Sequence, residues 1–318
     1  MPIIFFDADE VEELLDYPGC IEAMRRAMTE LSSGERPQPL RQIFTVGENE
    51  MFGTMPGELR ALSTFGAKLV SVFGDKDRPG RSRHQGVVVA YDGETGAVSC
   101  IADAEPVTKI RTACATAVAT DALARSEARV LAIFGTGVQA DAHLRALPLV
   151  RSFSEILIWG RSPEKARQFA DEMSDELGLE IEAVSDGKEA AQRADVITTV
   201  TSSSTPVLLG EWVKPGTHVN LVGSSLLGPV EVDTDLVAKS RFVADYRPGV
   251  LAQGAEIEIA RQAGRIDDSH VVCEIGDVLG GRIEGRENDS QVTIYKSLGH
   301  VVQDLAAAAY LSRSSEGP

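Results

Sequence analysis

At 318 residues the chain is long for one hydrophobic core and suits two domains. Its hydrophobic share of 43% is ordinary for a globular protein, and no apolar run reaches the roughly 18 residues that a membrane span needs. A net charge of −17 argues against nucleic acid or an anionic membrane as partner, so an anionic ligand must be met by local positive charge.

The first ten residues carry acids and no basic stretch, which does not read as a signal peptide, and the expected compartment is the cytoplasm. Residues 7–33 have one helical rhythm (Val11, Leu14, Leu15, Ile21, Met24, Met28, Leu31) that stops at Ser32-Ser33-Gly34. A connector with Pro37 and Pro39 leads into strand-like runs at 42–46, 64–73, 86–91 and 97–102. Turn signals stand at 75–80 and at Asp92-Gly93, and together these predict an open antiparallel sheet. Residues 105–124 then read as a long helix rich in Ala and Thr. From 129 the texture changes to strand–helix alternation, with strands at 129–134, 155–159, 194–201, 217–223 and 241–245. That alternation specifies a parallel, doubly wound sheet. Residues 292–310 read as a strand entering a helix outside this pattern, returning to the first domain. The expected division is 1–125 with 291–318 as a discontinuous α+β domain, and 126–290 as a Rossmann-type α/β domain. Cys20, Cys100, Cys114 and Cys273 lack metal or redox spacing and read as reduced, buried thiols. His143, His218, His270 and His300 read as structural, with no metal site expected.

The stretch Arg129-Val-Leu-Ala-Ile-Phe-Gly-Thr-Gly-Val-Gln-Ala140 carries the most chemistry. An apolar strand ends in Gly135, Gly137 and Ala140 with a helix following, which is the setting a dinucleotide fingerprint requires. Gly135 permits the tight turn, Gly137 lets backbone approach a pyrophosphate, and Ala140 allows close helix–strand packing. Thr136, Val138 and Gln139 complete the cofactor turn. The end of the second strand should discriminate the ribose. There Gly160-Arg161-Ser162 offers a cation and a hydroxyl where an acid would select NAD(H), which favours NADP(H) while leaving NAD(H) open. Thr199, Val200, Thr201 and Ser202, ending the third strand, and Val222, Gly223 and Ser224, ending the fourth, should line the nicotinamide half. Thr112, Ser297 and Leu298 should close over it.

Four motifs in register extend this reading. Lys109-Ile-Arg-Thr-Ala113, the Gly135–Ala140 turn, Gly281-Arg-Ile-Glu-Gly-Arg286 and Thr293-Ile-Tyr-Lys-Ser-Leu-Gly299 resemble the ornithine cyclodeaminase/mu-crystallin family, and the likeness runs from about residue 5 to 312. The resemblance implies a homodimer built through the first domain, a nucleotide-binding second domain, and substrate held in a cleft. It also implies three basic residues around a substrate carboxylate: Arg41, Lys68 and Arg111. A guanidinium grips a carboxylate with a rigid fork, and a desolvated Lys near other cations can pass a proton near neutrality. Lys68 stands out by itself, because it interrupts an apolar strand. His84 could orient substrate.

Two positions depart from the cyclodeaminases of that family. Ser225 stands where they carry a loop aspartate, and Gly53 stands where a glutamate is usual. Without those acids nothing holds a side-chain ammonium, so cyclodeamination is disfavoured. The expectation is NAD(P)H-dependent reduction of the C=N bond of a small α-imino acid or cyclic ketimine to an L-amino acid. Pyrroline-2-carboxylate, piperideine-2-carboxylate and iminosuccinate are the substrate types, and Arg81 or Arg83 could serve a second carboxylate. Catalysis falls to Lys68, Arg41, Arg111 and Ser225. The alternatives are an alanine-type dehydrogenase, a redox-neutral lyase, and a non-catalytic small-ligand binding protein.

Overall fold

The computed structural model describes residues 3–34, 37–48, 50–73, 84–224 and 227–315. They fall into two compact units, Met1–Thr112 with His300–Pro318, and Ala113–Gly299.

The first unit contains strands Ile4–Phe6 (β1), Gln42–Thr45 (β2), Met51–Leu59 (β3), Thr64–Val72 (β4), His84–Asp92 (β5) and Val98–Asp103 (β6). Among the described residues they form one sheet in the order β1-β6-β5-β4-β3-β2. Strands β2 to β6 are antiparallel neighbours, as the strand-like runs and turn signals predict, while β1 adds a parallel edge against β6. The single helical rhythm of 7–33 resolves into two helices, Ala8–Leu14 (α1) and Tyr17–Ser33 (α2). The break has a local cause. Asp16 caps α2 by accepting the Gly19 amide, and Pro18 stands in its first turn, where its missing N–H costs nothing. Helix Ala104–Leu123 (α3) contributes its residues through Thr112 to this unit, and the C-terminal helix Val301–Ser315 closes it. The C-terminal helix packs on α2 and across β3, β4 and β5. Gly66 on β4 is required first by β5, since a Cβ there would clash with the Val89 carbonyl oxygen, and it would lie 3.0 Å from Leu305 of the helix. Helix α2 buries Cys20, Ile21, Met24, Ala27, Met28 and Leu31. Each larger side chain of that set contributes roughly 1.5–3 kcal/mol of burial.

The second unit holds strands Val130–Phe134 (β7), Glu155–Trp159 (β8), Ile181–Ala183 (β9), Val196–Thr199 (β10), His218–Leu221 (β11), Arg241–Ala244 (β12), Val271–Glu274 (β13) and Thr293–Lys296 (β14). Every pairing is parallel, in the order β13-β12-β14-β11-β10-β7-β8-β9. One face of the sheet is apolar, with Ala132, Phe134, Leu157, Ile197, Val219, Phe242 and Ile294 in one core, while the other also buries Thr198, His218, Asn220 and Thr293, as a sheet covered on both sides allows. The chain leaves β7 towards β8 and β9, then returns to β10 on the other side of β7. The strand order therefore reverses at β7/β10, where open α/β sheets bind ligands.

One expectation is corrected here. The strand at 293–296 was read as lying outside the nucleotide pattern, yet β14 sits between β11 and β12 in the parallel sheet. Its four residues are all buried, which a place in the middle of that sheet imposes. The helix after it, not the strand, belongs with the first unit.

Candidate active site

In the first unit β4, α3 and the C-terminal helix bring buried charges together. Lys68 on β4 is 5% exposed, Arg111 on α3 is 4% exposed, and Asp304 is fully buried. Lys68 Nζ lies 3.4 Å from Asp304 Oδ1 and donates to the Thr108 hydroxyl, which in turn donates to the Ala104 carbonyl. Arg111 donates through Nε to the same Asp304 Oδ1 at 3.0 Å and through Nη1 to Gln303 Oε1 at 2.6 Å. Half-buried Arg41, just ahead of β2, adds a third positive charge to the field at Lys68. Burial is the main cause that lowers the Lys68 ammonium from 10.5 to about 8, with the Arg111 and Arg41 charges adding to it and Asp304 opposing it. A lysine titrating there is charged at neutral pH yet able to give up its proton. His300, beside the cluster, is pushed down to about 4, chiefly by burial, and is neutral.

The structure thus brings Lys68, Arg111 and Arg41 into one neighbourhood and adds Asp304, which the sequence reading passed over. A signal existed. Asp304 falls on the helical stripe of Val301, Ala308 and Leu311, all buried, and an acid on such a face needs partners. His84 opens β5, but its side chain is outside the described residues, as are Arg81, Arg83 and Ser225.

In the second unit the glycine turn follows β7. Gly135 has φ +138°, and a Cβ there would lie 2.9 Å from Val200, so packing and backbone both require glycine. Gly137 differs. It caps helix Val138–Ala146 (α4) with an ordinary negative φ and no side-chain cap, and a Cβ there would meet nothing within 4 Å. The protein's own packing does not ask for glycine at 137. The first amides of α4 have no side-chain cap there, and such a helix end favours an anion. Thr136 is half-buried, Val138 is exposed, and Gln139 Oε1 is buried without a hydrogen-bond partner among the described residues. Ala140 is fully buried.

At the end of β8, Gly160 lies against Thr136 and Arg161 is exposed. Ser162 caps helix Pro163–Leu177 (α5), accepting the Lys165 amide at 3.3 Å and donating to Glu164 at 2.9 Å. Three of the hydroxyls expected along the nicotinamide half, those of Thr199, Thr201 and Ser224, are committed elsewhere. Buried Glu231 accepts from Thr199 Oγ1 at 2.7 Å, Thr201 Oγ1 at 2.8 Å, and the amides of Thr201 and Gly223 at 2.7 Å each. It ties together the ends of β10 and β11. Burial pushes Glu231 upward while those donors and the Lys296 charge pull it down. Ser224 Oγ accepts from buried Lys296 at 2.6 Å and donates to Glu256, and Lys296 pairs with Glu256 at 2.9 Å. Ser202 is exposed and Val222 buried. Ser297 Oγ is buried with no partner among the described residues. Leu298 is held through its amide by Asp245 at 2.8 Å, and Thr112 is buried on α3.

The sequence matches the family described as "Ornithine cyclodeaminase/mu-crystallin family" over residues 3–317. It is 30% identical over 311 residues to a Delta(1)-pyrroline-2-carboxylate reductase of Bacillus cereus, spanning 97% of this chain and 95% of the relative. Among solved structures, the Delta(1)-pyrroline-2-carboxylate reductase of Thermococcus litoralis in complex with NADH and L-proline superposes with a TM-score of 0.93. It is 32% identical and covers 98% of this chain and 97% of its own. An archaeal alanine dehydrogenase dimer with bound NAD gives 0.92 at 28% identity, over 99% and 97%.

Proposed function

The chain belongs to the ornithine cyclodeaminase/mu-crystallin family, and from that premise we propose that it reduces the C=N bond of a small α-imino acid or cyclic ketimine with NAD(P)H, giving an L-amino acid. The observation that carries this reading is the buried surplus of positive charge in the first unit. Lys68 and Arg111 share one carboxylate, Asp304, and Arg41 adds its positive charge to the field at Lys68. An anionic carboxyl group of the substrate is what such a cluster stabilises.

Arg41 and Arg111 grip the substrate carboxylate and fix the adjacent C=N carbon. Lys68 faces the imine nitrogen and delivers the proton that the nitrogen keeps as the bond is reduced. The open end of α4, with Gly135, Thr136, Gly137, Val138 and Gln139, holds the pyrophosphate of the dinucleotide. Strand ends at 199–202 and 222–224, with Ser297 and Leu298, present backbone and apolar surface to the nicotinamide half, since the Thr199, Thr201 and Ser224 hydroxyls serve the protein. When bound, the reduced dinucleotide supplies the hydride to the C=N carbon. Positioning and a pre-charged pocket supply the remaining acceleration.

Arg161 favours the 2′-phosphate of NADP(H) over NAD(H). Exposed Ile43, Phe44 and Phe65 on the first sheet support a homodimer built through that unit. Four buried free thiols suit a reducing compartment, the cytoplasm.

The test is a panel of pyrroline-2-carboxylate, piperideine-2-carboxylate, iminosuccinate and pyruvate with ammonia, each with NADH and NADPH. Stoichiometric loss of absorbance at 340 nm with a cyclic imino acid supports the reading. Catalytic cofactor use on ornithine with no net loss, or turnover of pyruvate alone, contradicts it.

A further inference from the structure

We propose that Asp304 is a positioning residue: its buried carboxylate keeps the Lys68 ammonium charged and aimed, and fixes the plane of the Arg111 guanidinium. The use made of Lys68 rests on the reductase reading above, whereas the charge arrangement does not.

Polar and charged groups meet Lys68 from three segments of the first unit. Asp304 faces it from the C-terminal helix, Arg111 and Thr108 from α3, and Arg41 from the segment before β2. Its strand neighbours, Met55 on β3 and Val88 on β5, bring no charge. His300 is neutral. Burial and both arginines therefore push the lysine toward the neutral amine, and Asp304 is the group that opposes them. A neutral Lys68 has no proton to deliver to an imine nitrogen. The same carboxylate oxygen takes Arg111 Nε, while Gln303 takes Nη1, and Nη2 takes part in neither bond. The guanidinium is held from its inner edge, with Nη2 left to meet a carboxylate. Gln303 is itself anchored on Met28 of α2.

Comparison with Glu231 separates a positioning acid from an architectural one. Glu231 is saturated by four donors across its two oxygens. Asp304 spends one oxygen on two cations, and its Oδ2 is buried without a hydrogen-bond partner among the described residues. An acid kept only to hold helices together gains from saturating both oxygens. An acid kept to set the state of a lysine does not need to.

The experiment follows Lys68 directly, on the full chain without substrate or cofactor. Lysine labelled with 13C at Cε is titrated by NMR, the Lys68 signal being assigned with Lys68→Arg. The wild type should titrate near 8. In Asp304→Asn the midpoint should fall by about one to two pH units. An unchanged or raised midpoint overturns the proposal. Should the Asn variant fail to fold, the wild type still decides. The Asp304 carboxyl carbon should shift with the Lys68 step, and a flat carboxyl signal across that range overturns the proposal. The kinetic arm is the pH profile of imine reduction, whose basic limb should move down with the NMR midpoint in Asp304→Asn. Lost activity with an unmoved limb marks a merely structural acid and overturns the role assigned here. A wild type that turns over no imino acid, with the NMR shift intact, overturns the reductase reading and leaves the charge arrangement standing.

Discussion

Two buried polar clusters, one in each unit, solve the cost of burial in opposite ways. In the parallel-sheet unit, Glu231 is met by four donors and Lys296 is paired with Glu256. The Glu231 oxygens are saturated by neutral donors and Lys296 has its own carboxylate, and such a network holds its shape without a ligand. In the antiparallel-sheet unit, two buried cations, Lys68 and Arg111, share one carboxylate, and the Arg41 charge acts on the same lysine. That imbalance is costly in the free protein and is relieved by an incoming anion. The matched cluster is scaffold, and the unmatched one is where a charged substrate gains most.

Substitutions can break this contrast. The largest expected effect is on the unmatched side: Lys68→Ala should lower kcat/KM for imine reduction by about 10²–10⁴-fold while leaving the melting temperature unchanged or raised. Steady-state kinetics beside a thermal melt checks both halves, and near-full activity would remove Lys68 from the chemistry. On the matched side, Glu231→Ala strands the donors of Thr199, Thr201 and Gly223. It should cost about 3–5 kcal/mol of stability, read as a lower urea midpoint. Kinetic loss without destabilisation would move Glu231 from scaffold to chemistry.

Acid should also probe the scaffold. His143 on α4 is buried between the Gln139 carbonyl and the Thr116 hydroxyl, and burial lowers it to about 4. The unfolded chain binds its proton near 6.5, so this contribution is complete above 6.5 and is lost as pH falls towards 4. The loss is on the order of 3 kcal/mol, and His143→Gln should flatten urea midpoints over that window. The smallest expected effect is at the α5 cap. Ser162→Ala should cost about 1 kcal/mol in the urea midpoint, because the Lys165 amide loses its acceptor. An unchanged midpoint with weakened NADPH binding would instead give Ser162 to the cofactor.

The two units also differ in how far their residues announced them. Strands β7, β8 and β12 are mainly apolar runs, and β10 and β11 mix apolar residues with Thr, His and Asn between helical stretches, so the strand–helix alternation left a local mark. Strand β14 carries the mark too, but its place between β11 and β12 depends on pairing across more than fifty residues, which no local pattern records. Strand β3 was missed because Gly53, Pro56 and Gly57 break its alternation. The structure explains why Pro56 is tolerated. Pairing with β2 ends at Thr54, so beyond it β3 is an edge and the absent N–H leaves no ladder bond unmade. Lys68 was legible as a charge interrupting an apolar strand, whereas Arg41 and Arg111 came only from the family resemblance. Asp304 was hidden in an alanine-rich helix, and Glu231 lay in a loop where an acid looks unremarkable until Thr199 and Thr201 are seen turned towards it.

The most direct measurement of the account compares pyrrole-2-carboxylate with pyrrole-2-carboxamide as inhibitors of imine reduction. The pair share a ring and differ in the charge that Arg41, Lys68 and Arg111 are said to hold. The carboxylate should compete with substrate and bind about 10²–10⁴-fold more tightly than the amide, the equivalent of two hydrogen bonds to charged groups. Equal inhibition by the two compounds would contradict the claim that this cluster recognises the carboxyl group.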